Sequence, residues 1–466
     1  MKRKLMLWCA PVMALTLVLS LVSQAPTSAR ATTAPHPLLG HLHFLPHTPH
    51  SKADPPPTLA ECLSYPFFAI TCLGPAEFQK VYNLAPLTRA GLNGRGRTIV
   101  IVDSFGSPTI REDLKAFDAG FGIPDPPSFT IISPAGSPPP FKYLDPEMSG
   151  WAGETTLDVE AAHEIAPGAN ILLVTTPVAE TEGVTGFPQM MLSENYVIDH
   201  NLGDVISQSF AATEETFPSR QSLLSLRSAF KNAYKHHVTV LAGSGDQGPT
   251  GATLDLTCCY PTQVAQWPAS DPLVTGVGGT EIHLDASGNR TAPDSVWNDY
   301  GASGGGPSHI FSRPEFQDSV ARVVGHQRGV PDISMSAFCF GITFYATYDP
   351  RPEFSGWGFT CGTSESSPLF AGIVAIADQA AGQRLGFLND RLYNLLGRKH
   401  SGLVDVTVGN NTFSFCTAAC DTPNPILTTV PGYAATRGYD MATGLGTIDA
   451  TLLVKALGGE NNNNGN

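Results

Sequence analysis

Cys361-Gly362-Thr363-Ser364-Glu365-Ser366-Ser367-Pro368 closes a β-rich stretch, Ile342 to Thr360, and opens an apolar run, Leu369 to Ala377. Gly362 permits a tight backbone turn. The pattern predicts Ser364 at or just before the first turn of a helix. Unpaired N–H groups and the positive end of the helix dipole favour developing negative charge there. A nucleophilic hydroxyl fits that place, and so does a plain N-cap serine before a buried helix. The octapeptide alone does not choose between them.

Outward from it the chain alternates two kinds of segment. Thr98 to Asp103 is a continuous apolar run ending in an acid, as a buried parallel strand reads. Ile110 to Phe121 reads as helix, Phe129 to Ile132 as strand, Glu154 to Ile165 as helix and Asn170 to Thr175 as strand. Met190 to His200 and Ser222 to His236 read as helices, Asp204 to Phe210 and Val238 to Gly243 as strands. Strand–helix alternation predicts an α/β fold, a mostly parallel sheet flanked by helices. Catalytic groups of such folds gather beyond the carboxyl ends of the strands.

The 466 residues allow one large domain or several. Hydrophobic residues make up 42% and charged residues 15%, enough to bury a large core. A formal charge of −14 argues against a nucleic-acid partner, which calls for basic patches. Residues 1–31 read as a signal peptide: a basic start, an apolar run from Leu5 to Val22, and Ala29-Arg30-Ala31 as cleavage site. This predicts a secreted protein with no membrane partner once cleaved. Residues 32–74 read as a short Pro- and His-rich leader or linker, with His36, His41, His43, His47 and His50 crowded together. Residues 75–458 read as the folded domain and 459–466 as a disordered Asn-rich tail. Without Cys9, eight cysteines remain in an exported chain, so disulfides are expected. Cys62–Cys72 and Cys416–Cys420 suit local pairing; the full connectivity does not follow from spacing. Gly304-Gly305-Gly306 lacks the Lys-Ser/Thr ending of a phosphate loop and reads as a structural turn.

Two acidic features complete the set. Glu154 and Asp158 stand four apart and share one helix face, where like charges are mutually unfavourable. They read either as solvated acids on a surface helix or as a carboxyl pair able to share a proton. Asp246 lies in Ser244-Gly245-Asp246-Gln247-Gly248, just after the strand Val238 to Leu241. It reads as a turn aspartate or as an acid presented at the sheet's carboxyl edge.

Serine, carboxyl pair and edge aspartate together resemble the sedolisins, or serine-carboxyl peptidases, acid-acting relatives of subtilisin with the same α/β core. Glu154 and Asp158 match a Glu-x-x-x-Asp helix. Asp246 matches a Gly-Asp-x-Gly oxyanion loop, and Gly362-Thr363-Ser364 with Pro368 matches the nucleophile motif. Trp267-Pro268-Ala269-Ser270 and Val330-Pro331-Asp332 support the match, which runs in order over about residues 74–458. Subtilisin itself fits less well. Asp103 ends the first strand as its aspartate does, but no His-Gly-Thr-His segment follows, and His163 points away from Glu154 and Asp158.

The resemblance implies a secreted peptidase acting on proteins or peptides in acid, expected here as a monomer. Ser364 would be the nucleophile, Glu154 the general base, Asp158 its partner and Asp246 the oxyanion donor. It also implies one structural Ca²⁺ ion in the C-terminal segment, on the carboxylates of Asp405 and Asp440 and the backbone oxygens of Val406, Thr436 and Gly438. Thr436 stands where the family commonly has Gly. Three departures stand out: a leader far shorter than the usual folded propeptide, Phe210-Ala211-Ala212 in place of Ser-Trp/Tyr-Gly, and Cys361 before Gly362. A Cys361–Cys339 bridge would stiffen the nucleophile loop. Two other classes compete. A catalytically inactive exported binding protein on the same fold is opposed by the complete residue set. A serine esterase would want Gly-x-Ser-x-Gly, which Gly-Thr-Ser-Glu-Ser is not.

Overall fold

The computed structural model describes residues 43–44, 55–64, 70–256, 258–418, 420 and 425–458. The expected signal peptide, most of the leader and the tail 459–466 lie outside the described residues, as does Cys9.

A parallel sheet forms the middle layer. Its strands are β1 (Thr98–Ser104), β2 (Phe129–Ile132), β3 (Asn170–Thr176), β4 (Val205–Gln208), β5 (Thr239–Gly243), β6 (Thr275–Glu281), β7 (Ser295–Val296) and β8 (Ile333–Ser336). The parallel order is β2-β3-β1-β4-β5-β6-β8, and β7 adds antiparallel to β6. Both faces are covered. Ile99 and Ile101 of β1 join one core, while Val100 and Val102 join the other. That two-sided burial explains why β1 reads as an unbroken apolar run.

The main helices are α1 (Ile110–Phe121), α2 (Pro146–Ile165), α3 (Phe187–Asp199), α4 (Ser228–His236), α5 (Thr363–Ala381) and α6 (Ala450–Gly458). Helices α2 and α5 contribute to the first core, α3 and α4 to the second. The expected helix at 222–236 is split into Arg220–Leu226 and α4. Helix α2 begins eight residues before the expected Glu154, because Asp145 caps it by accepting from the N–H groups of Glu147 and Met148.

Packing decides one open alternative and corrects one expected boundary. Helix α2 is not a surface helix: from Gly150 to Ile165 every residue is buried, so Glu154 and Asp158 are not solvated acids. The segment up to residue 74 is not wholly a separate leader. Residues 70–74 run along the domain, with the N–H groups of Thr71 and Cys72 donating to the Phe340 carbonyl. Cys62 and Cys72 are bonded and buried. Cys339–Cys361 and Cys416–Cys420 are also bonded, and Cys258 pairs with its neighbour Cys259.

Candidate active site

Three chain segments meet beyond the carboxyl ends of the strands. The hairpin Ile342–Ala346 with Gly356–Thr360 delivers Cys361, and the chain then turns at Gly362, whose φ of 121° disfavours any side chain. Thr363 opens α5, so Ser364 lies in its first turn, as the motif predicted. Cys361 is tied to Cys339 on the segment after β8. Pro368 sits in the second turn of α5 and has no N–H to give to the carbonyl four residues back, that of Ser364. The hydroxyl of Ser209 approaches that carbonyl at 3.3 Å.

Ser209 also donates to Asp158 Oδ1 at 2.8 Å. One hydroxyl proton cannot serve both oxygens fully. The shorter bond goes to Asp158, so Ser209 links the carboxyl pair to the Ser364 backbone. The Ser364 hydroxyl lies close enough to Glu154 to favour its ionised form, without completing full hydrogen-bond geometry in the resting site. Loose contacts of this kind tighten when substrate binds.

The carboxyls are buried near enough to influence one another's charge. Burial holds Glu154 well above the usual carboxylate range; the Ser364 hydroxyl works against this, and the charges of Asp103 and Asp246 add to it. Burial likewise raises Asp158, with help from Asp103 and Glu154, and against the Ser209 bond. Asp103, at the end of β1, is buried and pushed up to about 7, against the nearby Thr155 hydroxyl, which does not complete a hydrogen bond. Three such groups cannot all be ionised; they titrate as a unit that shares protons.

Asp246 follows β5 and reaches the start of α5. Its Oδ1 accepts the Thr363 N–H at 2.8 Å and the Thr363 hydroxyl at 2.9 Å. Its Oδ2 is buried without a partner. Burial lifts the group to about 7, against those two bonds. Because Oδ1 is filled with donors, the proton of the neutral acid belongs on Oδ2. The triple glycine backs this loop: Gly304 N–H donates to the Gly245 carbonyl at 2.7 Å, and a Cβ at Gly304 would stand 2.2 Å from Ser244 O.

All four expected catalytic residues are therefore at one sheet edge, and two more were missed. Asp103 was compared with the strand-ending aspartate of subtilisin but given no role; an acid closing a buried parallel strand at its carboxyl edge was the available signal. Ser209 had no signal beyond its place after β4. His163 is structural, buried against Asp118 at 3.2 Å and the Pro124 carbonyl at 3.0 Å.

In the C-terminal segment, both oxygens of Asp405 accept the Gly438 N–H at 3.1 Å, and Asp440 Oδ2 accepts that of Thr436 at 2.9 Å. The two halves of the expected ion site thus meet. Among the described residues no group of three or more His, Cys, Asp or Glu side chains stands ready for a metal. The expected set contains only two carboxylates and completes itself with backbone oxygens, so its all-oxygen chemistry fits Ca²⁺.

No family model matches the chain. Among curated proteins it is 31% identical over 376 residues to kumamolisin of Bacillus sp., covering 79% of this chain and 61% of that one. It is 27% identical over 396 residues to sedolisin of Pseudomonas sp., covering 81% and 60%. Tripeptidyl-peptidase 1 of Macaca fascicularis matches at 27% over 462 residues, 93% of this chain and 72% of that one. The chain thus spans about three fifths of the length of the first two relatives. Among solved structures, Pseudomonas sedolisin, a serine-carboxyl proteinase complexed with pseudo-iodotyrostatin, superposes with a TM-score of 0.66 at 26% identity, over 83% of this chain and 97% of that one. Ordered motifs, shared fold and these relatives lead to one conclusion: over its folded domain the chain is similar to the sedolisins.

Proposed function

We propose that the chain is a serine-type peptidase that cleaves proteins or peptides in acid through an acyl-enzyme on Ser364. The observation that carries this reading is the meeting of Ser364, Glu154, Asp158 and a partner-free Asp246 Oδ2 at one sheet edge. Glu154, ionised, takes the Ser364 proton as Oγ attacks the scissile carbonyl carbon. Asp158 and Asp103 hold the remaining protons of the cluster and keep charge available to Glu154. Asp246, protonated, donates from Oδ2 to the oxyanion. The proton on Glu154 then passes to the leaving amine as the C–N bond breaks. Water attacks the acyl-enzyme by the same route in reverse, with Glu154 again as base.

Acid action follows from opposite demands on the carboxyls. Asp246 must keep its proton, which it loses as pH rises through about 7. The Glu154 cluster must lose one, so activity falls at the most acidic pH. A bell-shaped profile results. Secretion and substrates drawn from extracellular proteins or peptides fit the signal-like N-terminus and the disulfides. Among the described residues no helix is long and apolar enough to cross a membrane. Asp405, Asp440 and the carbonyls of Val406, Thr436 and Gly438 would hold one Ca²⁺, which would neutralise the carboxylates and cross-link the C-terminal segment.

Hydrolysis of denatured casein from about pH 3 to 8, a window that brackets carboxyl titration, tests the reading. Wild type should digest it in acid and Ser364→Ala should not. Equal hydrolysis by both would overturn it.

A further inference from the structure

Glu365 directly follows the nucleophile on α5. It is fully buried, and neither carboxyl oxygen has a hydrogen-bond partner. Glu164, on α2, is in the same condition. Each helix carries half of the reaction centre: α2 holds Glu154 and Asp158, α5 holds Ser364. The two helices approach so closely that a Cβ at Gly372 would lie 2.6 Å from Ile165 Cβ and 3.2 Å from Ala162 O.

Among the described residues no cation donates a hydrogen bond to either acid. Glu164 faces Glu365 and, from helix Pro75–Val81, Glu77. Glu365 faces Asp299 and the Ser336 hydroxyl, which does not complete a hydrogen bond. Tyr82 lies near both acids and near Arg290, which is paired with Asp294. Along α2, Glu160 lies near Glu164, Asp113 and Asp118, and accepts the Tyr345 N–H at 2.8 Å.

We propose that Glu164 and Glu365 are positioning residues that work only as neutral carboxyls: protonated, they let α2 and α5 close and hold Ser364 against Glu154, and their ionisation moves the nucleophile off its base. This rests on the peptidase reading above. A charge on either would be buried without a partner, and a charge on both would repel across the helix interface. Burial raises both groups well above 4.5, the ordinary glutamate value, with Glu365 adding to the rise at Glu164 and Asp299 to that at Glu365. Above that value the unfolded chain releases protons that the native state still holds. Native stability therefore falls as pH climbs from 4.5 toward the raised folded values, and is untouched below it.

The test uses Glu164→Gln, Glu365→Gln and the double variant, which fix the neutral form in nearly the same volume. Melting is compared at pH 4 and pH 7. kcat/KM against pH is measured in an Asp246→Asn background, so that the oxyanion donor does not titrate, with each profile normalised to its own acid maximum. The double variant should lose less melting temperature between pH 4 and 7 than wild type, and its high-pH limb should move up by about one pH unit or more. A limb and a neutral-pH melting loss both equal to wild type would overturn the proposal. So would a stabilised protein with an unmoved limb, which would mean a structural role alone. If the amide itself unsettles the core, Glu365→Met carries the same comparison with the same outcomes. Full hydrolysis by Ser364→Ala would instead sink the peptidase reading, and the melting comparison alone would then decide the clamp.

Discussion

Asp246 Oδ1 takes both the N–H and the hydroxyl of Thr363, at 2.8 and 2.9 Å, one residue before Ser364. A single carboxyl oxygen therefore fixes the start of the nucleophile helix and leaves Oδ2 for chemistry. Asp246→Ala should lower kcat by about 10²–10³-fold, the usual effect of deleting one oxyanion donor. Asp246→Asn keeps an acceptor for Thr363 and a donor for substrate. It should retain more activity than the alanine variant and lose the part of the high-pH limb that Asp246 sets near 7, because an amide does not titrate there. Steady-state kinetics of both variants against pH check this.

Ser209 offers a second handle on the carboxyl cluster. Its hydroxyl favours ionised Asp158. Ser209→Ala removes that donor, so Asp158 holds its proton to higher pH. The acid limb of kcat should move upward and kcat should fall about tenfold, the worth of a hydrogen bond to a charged group. An unmoved acid limb would show that Ser209 does not set the charge of the pair.

The bridge between Cys339 and Cys361 closes a loop of 22 residues next to the nucleophile. Replacing both cysteines by serine should cost about 3 kcal/mol of stability and lower kcat more than it raises KM, since the turn at Gly362 loses its anchor. Melting and kinetics in acid measure the two effects separately.

Much of this was legible beforehand, for identifiable reasons. The strands of the sheet are unbroken apolar runs because the sheet is covered on both sides, and α1 and β2 fall at their expected bounds. The site residues were legible because the motifs are short and local: Gly362 to Pro368, Gly245 to Gly248, Glu154 to Asp158. What was not legible depends on packing between distant segments. Taken alone, Glu154 and Asp158 read more readily as solvated, since nothing local says that α5 will cover α2. Ser209 reaches Ser364 across 155 residues, through a carbonyl to which Pro368 has no N–H to donate. The pairing of Cys258 with Cys259 had no basis in spacing.

The C-terminal segment gives a prediction independent of catalysis. If Asp405 and Asp440 hold Ca²⁺ with the backbone oxygens of Val406, Thr436 and Gly438, melting temperature should rise with added calcium and fall with chelator, as for any ligand of the native state alone. Asp405→Ala should abolish that calcium dependence. Melting that ignores both calcium and chelator would remove the ion from the account.

The most direct measurement is the pH profile of kcat/KM on a peptide substrate for wild type, Ser364→Ala and Glu154→Gln. The account predicts a bell with its maximum in acid for wild type and a loss of at least about 10³-fold for each variant, as when a nucleophile or its base is removed. Undiminished turnover by Ser364→Ala, or a wild-type profile that only rises toward neutral pH as a histidine base would give, would contradict it.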